Sequence, residues 1–203
     1  MKKLLILICG VIFAFSASAQ TQINPVIGMN FSQLVNEPDQ VNSESRLGWQ
    51  FGVNMRFGDQ FYFQPGVHYA QLNSELTPAE GADTISISSF QSNIGVLRVP
   101  LLAGFRIFSN EDKEALFNIN AHAGVATEWI LAVDEKETNL TKDDFASPIF
   151  GAVIGAGIDF LFLTLDIDYE IGLTPVFDKE KVQLSSEPKN NALIISVGGK
   201  FQF

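Results

Sequence analysis

Charged side chains occupy alternate positions in several segments of this sequence, and such rows can bind or relay protons and ions. In segment 164–170, for example, Asp166, Asp168 and Glu170 alternate with apolar residues. Two interpretations are open: a proton or ion path, and a network of ion pairs in which buried charges compensate one another. The second is favoured because the polar positions carry four basic and five acidic side chains, close to balance, with two histidines. These residues are Arg56, His68, Arg98, Arg106, His122, Glu128, Asp159, Asp166, Asp168, Glu170 and Lys200.

Nucleophilic catalysis is a second chemistry that the histidines could serve. A deacylase-type site places a histidine and a serine two positions apart on one strand face, so that the base can reach the nucleophile. Neither His68 nor His122 is followed by a serine two positions later. The sequence also lacks metal-ligand spacings, a phosphate-binding glycine loop and a nucleotide fingerprint. We therefore expect a non-catalytic protein without a metal or a cofactor.

Composition narrows the class of protein. The 203 residues carry a formal net charge of −10, which argues against nucleic-acid binding, because nucleic-acid binders present a basic surface. Hydrophobic residues make up 46% of the chain, too many for a disordered protein. The length suits one domain, and the single cysteine, Cys9, excludes a disulfide framework or a cysteine-rich metal site.

The first residues have the pattern of an export signal. Two lysines precede an apolar run over 4–15, which is too short to span a bilayer as a helix. The small residues Ala-Ser-Ala, ending at Ala19, then form a cleavage site. We predict removal of residues 1–19 and a mature barrel domain over 20–203; an uncleaved N-terminal anchor is the alternative.

The mature chain alternates between apolar and polar residues, which is typical of β-strands. Over 47–57, for example, Leu47, Trp49 and Phe51 alternate with glycine and glutamine. The pattern recurs in eight segments, which we predict as strands: 24–32, 47–57, 61–69, 94–108, 117–129, 149–160, 163–172 and 193–203.

Strand length and loop length together indicate a membrane barrel. Several segments reach 11 residues, long for a soluble strand and suited to a tilted strand that crosses a bilayer. Short turns at one end and long loops at the other are typical of outer-membrane barrels. We therefore predict an all-β fold, a monomeric eight-stranded antiparallel up-and-down transmembrane barrel. Its predicted long loops are 33–45, 73–90, 132–147 and 174–190.

The membrane environment decides which face of each predicted strand points outward and which points inward. Lipid requires an apolar outer face and fully paired backbone groups, so the polar residues fill the interior. In an eight-stranded barrel that interior is just wide enough for side chains. The four long loops carry 14 acidic residues and five lysines. A binding surface for a basic partner, divalent cations shared with lipopolysaccharide, and a simply solvated surface are all open interpretations.

Six short segments spread over 23–203 carry a family resemblance: Gly28–Ser32, Phe63–Tyr69, Leu97–Leu102, Gly155–Phe160, Tyr169–Thr174 and Gly199–Phe203. Together they resemble the Bacteroidetes-type outer-membrane β-barrel domains, often called PorT-like, and more loosely the small OmpA/OmpX-like barrels. This family has no common catalytic residues that could be transferred to the chain.

The resemblance implies an integral protein of the Gram-negative outer membrane, in contact with lipid and lipopolysaccharide. Phe201 and Phe203 then look like the C-terminal signal that the barrel assembly machinery reads. The implied role is structural or interactive, with assembly of a protein secretion system through an envelope partner as its specific version. A small pore and a lipid-modifying outer-membrane enzyme are the alternatives.

Overall fold

The computed structural model describes residues 21–35, 41–78, 90–107, 117–133, 145–177 and 188–202. The predicted export signal over 1–19 lies outside the described residues, so its cleavage stays a prediction. Within the described ranges, no helix is long and apolar enough to cross a membrane.

Long antiparallel strands account for most of the described chain. Only Lys200 separates the last two strands, β8 and β9, so β9 is a two-residue continuation of β8. The bounds are β1 Thr21–Val35, β2 Val41–Gly58, β3 Phe61–Pro78, β4 Phe90–Arg106, β5 Phe117–Val133, β6 Ile149–Phe160, β7 Leu163–Gly172, β8 Lys189–Gly199 and β9 Phe201–Gln202.

Backbone pairing closes these strands into a barrel. Each strand from β2 to β7 pairs with both of its neighbours in sequence, and β8 pairs with β7. Strand β1 pairs with β2 on one side and with β8 and β9 on the other. The last strand therefore meets the first, which leaves no open sheet edge for lipid to cover. The predicted closed, eight-stranded antiparallel barrel is confirmed.

The two faces of each strand differ strongly in exposure. On β7, Leu165, Ile167 and Tyr169 are exposed, whereas Asp166 and Asp168 between them are buried. A soluble protein has the opposite arrangement, with its charges outside and its large apolar side chains inside. The exposed apolar side chains of this barrel form the surface that lipid covers.

Several strands are longer than predicted, and the connections are correspondingly shorter. Strands β2 and β3 have 18 residues each and continue through the polar segments 41–46 and 71–78. The predicted loop 33–45 is therefore wrong, because only 36–40 separate β1 from β2. Backbone ladder bonds do not need an apolar face, so strands can continue beyond the bilayer where both faces are polar.

The connections define the two ends of the barrel. Residues 59–60 join β2 to β3, residues 161–162 join β6 to β7, and residues 107–116 join β4 to β5, all at one end. The described chain also begins and finishes there. Since short turns of such barrels face the periplasm, we call this the periplasmic end and the opposite one the outer end.

Close approach of strands explains one interior glycine. A Cβ atom on Gly124 would collide with the Leu101 carbonyl and lie 2.9 Å from the Cα atom of Leu102. Both neighbours belong to the backbone of β4, which cannot rotate aside as a long side chain can. The β4–β5 pairing therefore requires glycine at this position.

Replacement of Gly124 tests this requirement. The Gly124→Ala variant is expected to lose about 1–3 kcal/mol of unfolding free energy, the usual cost of overpacking. Ala123→Val is the matched control, because that side chain faces lipid, and its expected change is below about 0.5 kcal/mol. Urea unfolding in phospholipid vesicles, followed by electrophoretic mobility of the folded barrel, measures both. Equal losses in the two variants would contradict the argument.

Candidate functional site

The barrel interior contains the charged side chains that the sequence pattern grouped together. The structure buries ten of the eleven: Arg56, His68, Arg98, Arg106, His122, Glu128, Asp159, Asp166, Asp168 and Glu170. Lys200 is half-buried where β8 gives way to β9. Phe201 is exposed on the outer face, and Phe203 lies outside the described residues.

Arg106 anchors the interior nearest the periplasmic end. Its Nη1 donates to Oδ1 of Asp59 at 3.0 Å and to the Asp59 carbonyl at 2.7 Å. Its Nη2 donates to Oε1 of Gln22 on β1 at 3.1 Å. One guanidinium thus ties the β2–β3 turn to two other strands, which closes the narrow periplasmic mouth with polar contacts.

Arg56 forms the next layer of the interior. Its Nη1 lies 2.9 Å from Oδ2 of Asp159, and both side chains are almost fully buried. Its Nε donates to Oε1 of Gln64 at 2.8 Å. The guanidinium also lies 4.5 Å from the ring centre of Tyr62, whose hydroxyl donates to Asn120 at 3.0 Å. This arginine therefore joins side chains of β3 and β6 across the lumen.

His122 and Asp168 meet across an intervening strand. Nε2 of His122 on β5 lies 2.5 Å from Oδ1 of Asp168 on β7. Gly155 of β6 is in register with both residues, and a Cβ atom there would touch both side chains. The contact exists because glycine leaves the space between β5 and β7 free.

His68 serves the same network from β3. Nη1 of Arg98 donates to Nδ1 of His68 at 3.4 Å, and Nε2 of His68 lies 2.8 Å from Oδ1 of Asn54. An arginine has only donors, so Nδ1 accepts and Nε2 carries the proton that it gives to Asn54. Each histidine is thus held by polar neighbours inside the barrel.

Arg98 holds the outermost charges of the lumen. Its Nε and Nη2 both lie 2.8 Å from Oε2 of Glu170 on β7. Glu128, on the neighbouring strand β5, is farther away, with Oε1 at 4.0 Å from Nε. One guanidinium therefore compensates two buried carboxylates. Glu128 is the more weakly compensated of the two, because it lies farther from Arg98 than Glu170 does.

Some buried polar atoms in the periplasmic half have no protein partner. They include both oxygens of Asp166, Oδ1 of Asp159, Nη2 of Arg56 and Nδ2 of Asn120. Donors and acceptors mixed in a polar interior are usually bridged by internal water. Within the described ranges, no group of three histidine, cysteine, aspartate or glutamate side chains could hold a metal ion.

The outer end of the interior is apolar, a feature that the sequence analysis missed. Phe145, before β6, and Phe177, after β7, form an isolated β-bridge, with their ring centres 5.1 Å apart. The Ala146 N–H donates to the Val176 carbonyl at 2.9 Å. These segments pack against interior side chains of the strands. We call the resulting cluster the apolar cap: Leu34, Ala70, Ile94, Val96, Ile130, Phe145, Ile149, Val176 and Phe177.

The apolar cap directly covers the ion pairs beneath it. Its side chains line a small cavity of about 20 Å³, enough for about one water molecule. Ser32, Glu128 and Asn190 are the polar residues in that lining. Because Glu128 borders both the cavity and Arg98, the polar and apolar parts of the interior meet at this carboxylate.

A signal for the apolar cap is present in the sequence. Interior positions turn apolar beyond the charged ones, as at Ala70 after His68 and at Ile130 after Glu128. Segment 94–97 then has apolar residues facing both ways. Loss of alternation toward the outer end therefore marks where polar filling stops.

A closed antiparallel barrel with an apolar outer face and a charged interior is the architecture of a small integral outer-membrane barrel. Residues 16–178 match the family described as outer membrane protein beta-barrel domain, and the chain belongs to that family. The chain has no match among curated protein sequences.

Solved structures of similar fold agree with this assignment. Neisserial surface protein A (NspA) is 12% identical with a TM-score of 0.50, covering 88% of this chain and 97% of its own. The outer membrane protein OprG from Pseudomonas aeruginosa is also 12% identical with a TM-score of 0.50, covering 91% of this chain and 96% of its own. At this identity the likeness concerns the fold. The integral outer-membrane location follows from the family to which the chain belongs.

The Arg56–Asp159 pair offers a test of the interior network. Arg56→Met leaves Asp159 buried without its partner, so we expect a loss of about 3–5 kcal/mol in unfolding free energy. The double variant Arg56→Met, Asp159→Leu removes both charges and is expected to recover most of that loss. Urea unfolding in vesicles measures the set. If the double variant is as unstable as the single one, the pair does not compensate the buried charge.

Proposed function

We propose that this protein is a sealed outer-membrane barrel with a structural or interaction role, and that it binds a partner through its outer end. The apolar cap over an ion-paired interior carries the proposal. A lumen filled in this way leaves the surfaces of the barrel, rather than a channel through it, to perform the function.

Two successive barriers oppose transport through the lumen. A permeating ion has to displace closely bonded pairs such as Arg98–Glu170, both of which are buried. It then meets the apolar cap, and hydrophobic constrictions exclude water and with it ions. The alternative of a small pore draws support from unpartnered buried polar atoms, such as those of Asp159 and Asp166, which lie on the periplasmic side of both barriers.

The outer end offers a surface suited to binding. Strands β2 and β3 stay paired as far as Val41 and Pro78, so this hairpin continues beyond the apolar alternation of its two strands. The four segments that the sequence predicts as long loops contain 14 acidic residues and five lysines. Such a surface suits a basic protein partner, or divalent cations shared with lipopolysaccharide phosphates.

Assembly of a protein secretion system is the specific version of this proposal. This version rests on the resemblance of segments over 23–203 to PorT-like proteins. The sealed lumen is compatible with it, because a protein that assists assembly does not need to let cargo pass through its own barrel. The envelope or secretion partner would then engage the outer end of a monomeric barrel.

The route to the membrane is part of the same proposal. Export would use the signal over 1–19, and the barrel assembly machinery would insert domain 20–203 by reading Phe201 and Phe203. Phe201 is paired with Ile23 of β1 and exposed on the outer face, where another protein can reach it during closure.

A lipid-modifying enzyme is the less favoured alternative. Acyl chemistry requires a base and a nucleophile that reach the lipid. His68 and His122 are buried in the lumen, where they bond to Asn54 and Asp168. Their placement favours structural roles for both.

Conductance in planar bilayers tests the sealed lumen. The folded protein is expected to insert without single-channel steps, under conditions in which a general porin gives clear ones. The variant Phe145→Ala, Phe177→Ala opens the apolar cap but keeps the ion pairs, so it is expected to stay silent too. Stable conductance steps from the unmodified protein would contradict the proposal and favour the pore.

Secretion by a deletion strain tests the specific role. Loss of this protein is expected to reduce secreted cargo several-fold, measured by mass spectrometry of culture medium, and the intact gene to restore it. A gene with Asp134→Asn, Glu135→Gln and Glu137→Gln, in a segment predicted from the sequence as a long loop, is expected to restore less. The interior variant Arg56→Met, Asp159→Leu is the control and is expected to restore secretion. Unchanged cargo in the deletion strain would refute the secretion role.

A further inference from the structure

The turn between β6 and β7 is apolar throughout, although it lies at the periplasmic end. Leu161 and Phe162 form the turn, and Phe160 and Leu163 flank it. Phe162 exposes 64% of its surface, and the other three are exposed as well. Turns in contact with water usually consist of Gly, Asn, Asp, Ser or Pro. Four large apolar residues in this place need another explanation.

The backbone of this turn does not provide that explanation. Leu161 has a φ of 53°, in the left-handed region. Two-residue hairpin turns favour Gly at such a position because a Cβ atom is strained there, and they accept Asn or Asp because their short polar side chains can hydrogen-bond locally. Leucine is therefore retained against the local preference, which indicates that its side chain has a role.

The β2–β3 turn at the same end of the barrel can be compared directly with the β6–β7 turn. Gly58 there takes the positive φ, at 116°, as the backbone prefers. Asp59 and Gln60 follow it, both are exposed, and Asp59 is bonded to Arg106. Two turns of similar length at one end of the barrel thus have opposite polarity.

The apolar turn continues the lipid-facing surface without a break. Phe160 pairs with Phe117 of β5 and with Leu163 of β7. Phe201, on the strand that follows β8, is also exposed on this side, and Lys200 donates its N–H to the Phe162 carbonyl at 2.6 Å. On the β2–β3 side the apolar band stops instead at Asp59.

We propose that the β6–β7 turn inserts into the periplasmic leaflet of the membrane, with Leu161 and Phe162 among phospholipid acyl chains at the interface. Phospholipid is the occupant that the continuity with the lipid-facing band favours over a periplasmic protein. Aromatic side chains are stabilised at membrane interfaces. The barrel then sits deeper on its β6–β7 side than on its β2–β3 side.

Site-directed spin labelling tests this placement. In a Cys9→Ala background, which has no other cysteine, Phe162→Cys and the matched control Gln60→Cys each carry one nitroxide. The full chain is reconstituted in phosphatidylcholine–phosphatidylglycerol vesicles. We expect the ratio of oxygen to nickel-chelate collision rates to be several-fold higher at position 162 than at position 60. An Ile167→Cys label, in the middle of β7, supplies the value for a lipid-facing strand residue.

The opposite result is equally clear. A label at position 162 as accessible to the nickel chelate as the one at position 60 would overturn the proposal, and would instead mark the turn as a surface for a periplasmic protein. Heat-dependent electrophoretic mobility verifies that each variant is folded. If Phe162→Cys fails to fold, Leu161→Cys gives the same readout from the neighbouring position.

Discussion

The fold depends on one constraint: in hydrocarbon, every backbone N–H and carbonyl group must bond within the protein. The pairing of β1 with both β2 and β8 meets it by removing the sheet edges. Closure with so few strands makes the interior narrow, so side chains have to fill it. The charged lumen follows from that geometry, because alternation has already placed the apolar side chains outside.

In a narrow interior, a charged side chain can contact side chains of distant strands as well as those of its neighbours. Arg98 and Glu128 are direct register partners on β4 and β5, yet the short contacts of Arg98 go to Glu170 on β7. His122 likewise passes over Gly155 to reach Asp168. Contacts across the lumen thus decide which charges pair, and small residues decide where such contacts can form.

These contacts also explain how far the sequence could predict the structure. Period-two alternation was sufficient to predict the barrel and the interior position of residues such as Arg56. The odd or even position of a residue along a strand decides which face of the sheet its side chain occupies. The partners could not be predicted, since register and strand tilt are properties of the closed sheet. The extent of β2 and β3 was underestimated because backbone pairing outside the bilayer leaves no apolar pattern. The apolar cap was missed because Phe145 and Phe177 lie beyond the alternating segments.

The interior is asymmetric along the barrel axis: polar side chains fill it toward the periplasmic end, and apolar side chains fill it at the outer end. Ion pairs extend from Arg106–Asp59 at the periplasmic end to Arg98–Glu170, and the apolar cap lies beyond Arg98 toward the outer end. Phe145 and Phe177 end the described parts of the connections that join β5 to β6 and β7 to β8. The apolar cover of the lumen is therefore built by these connections as well as by the strands.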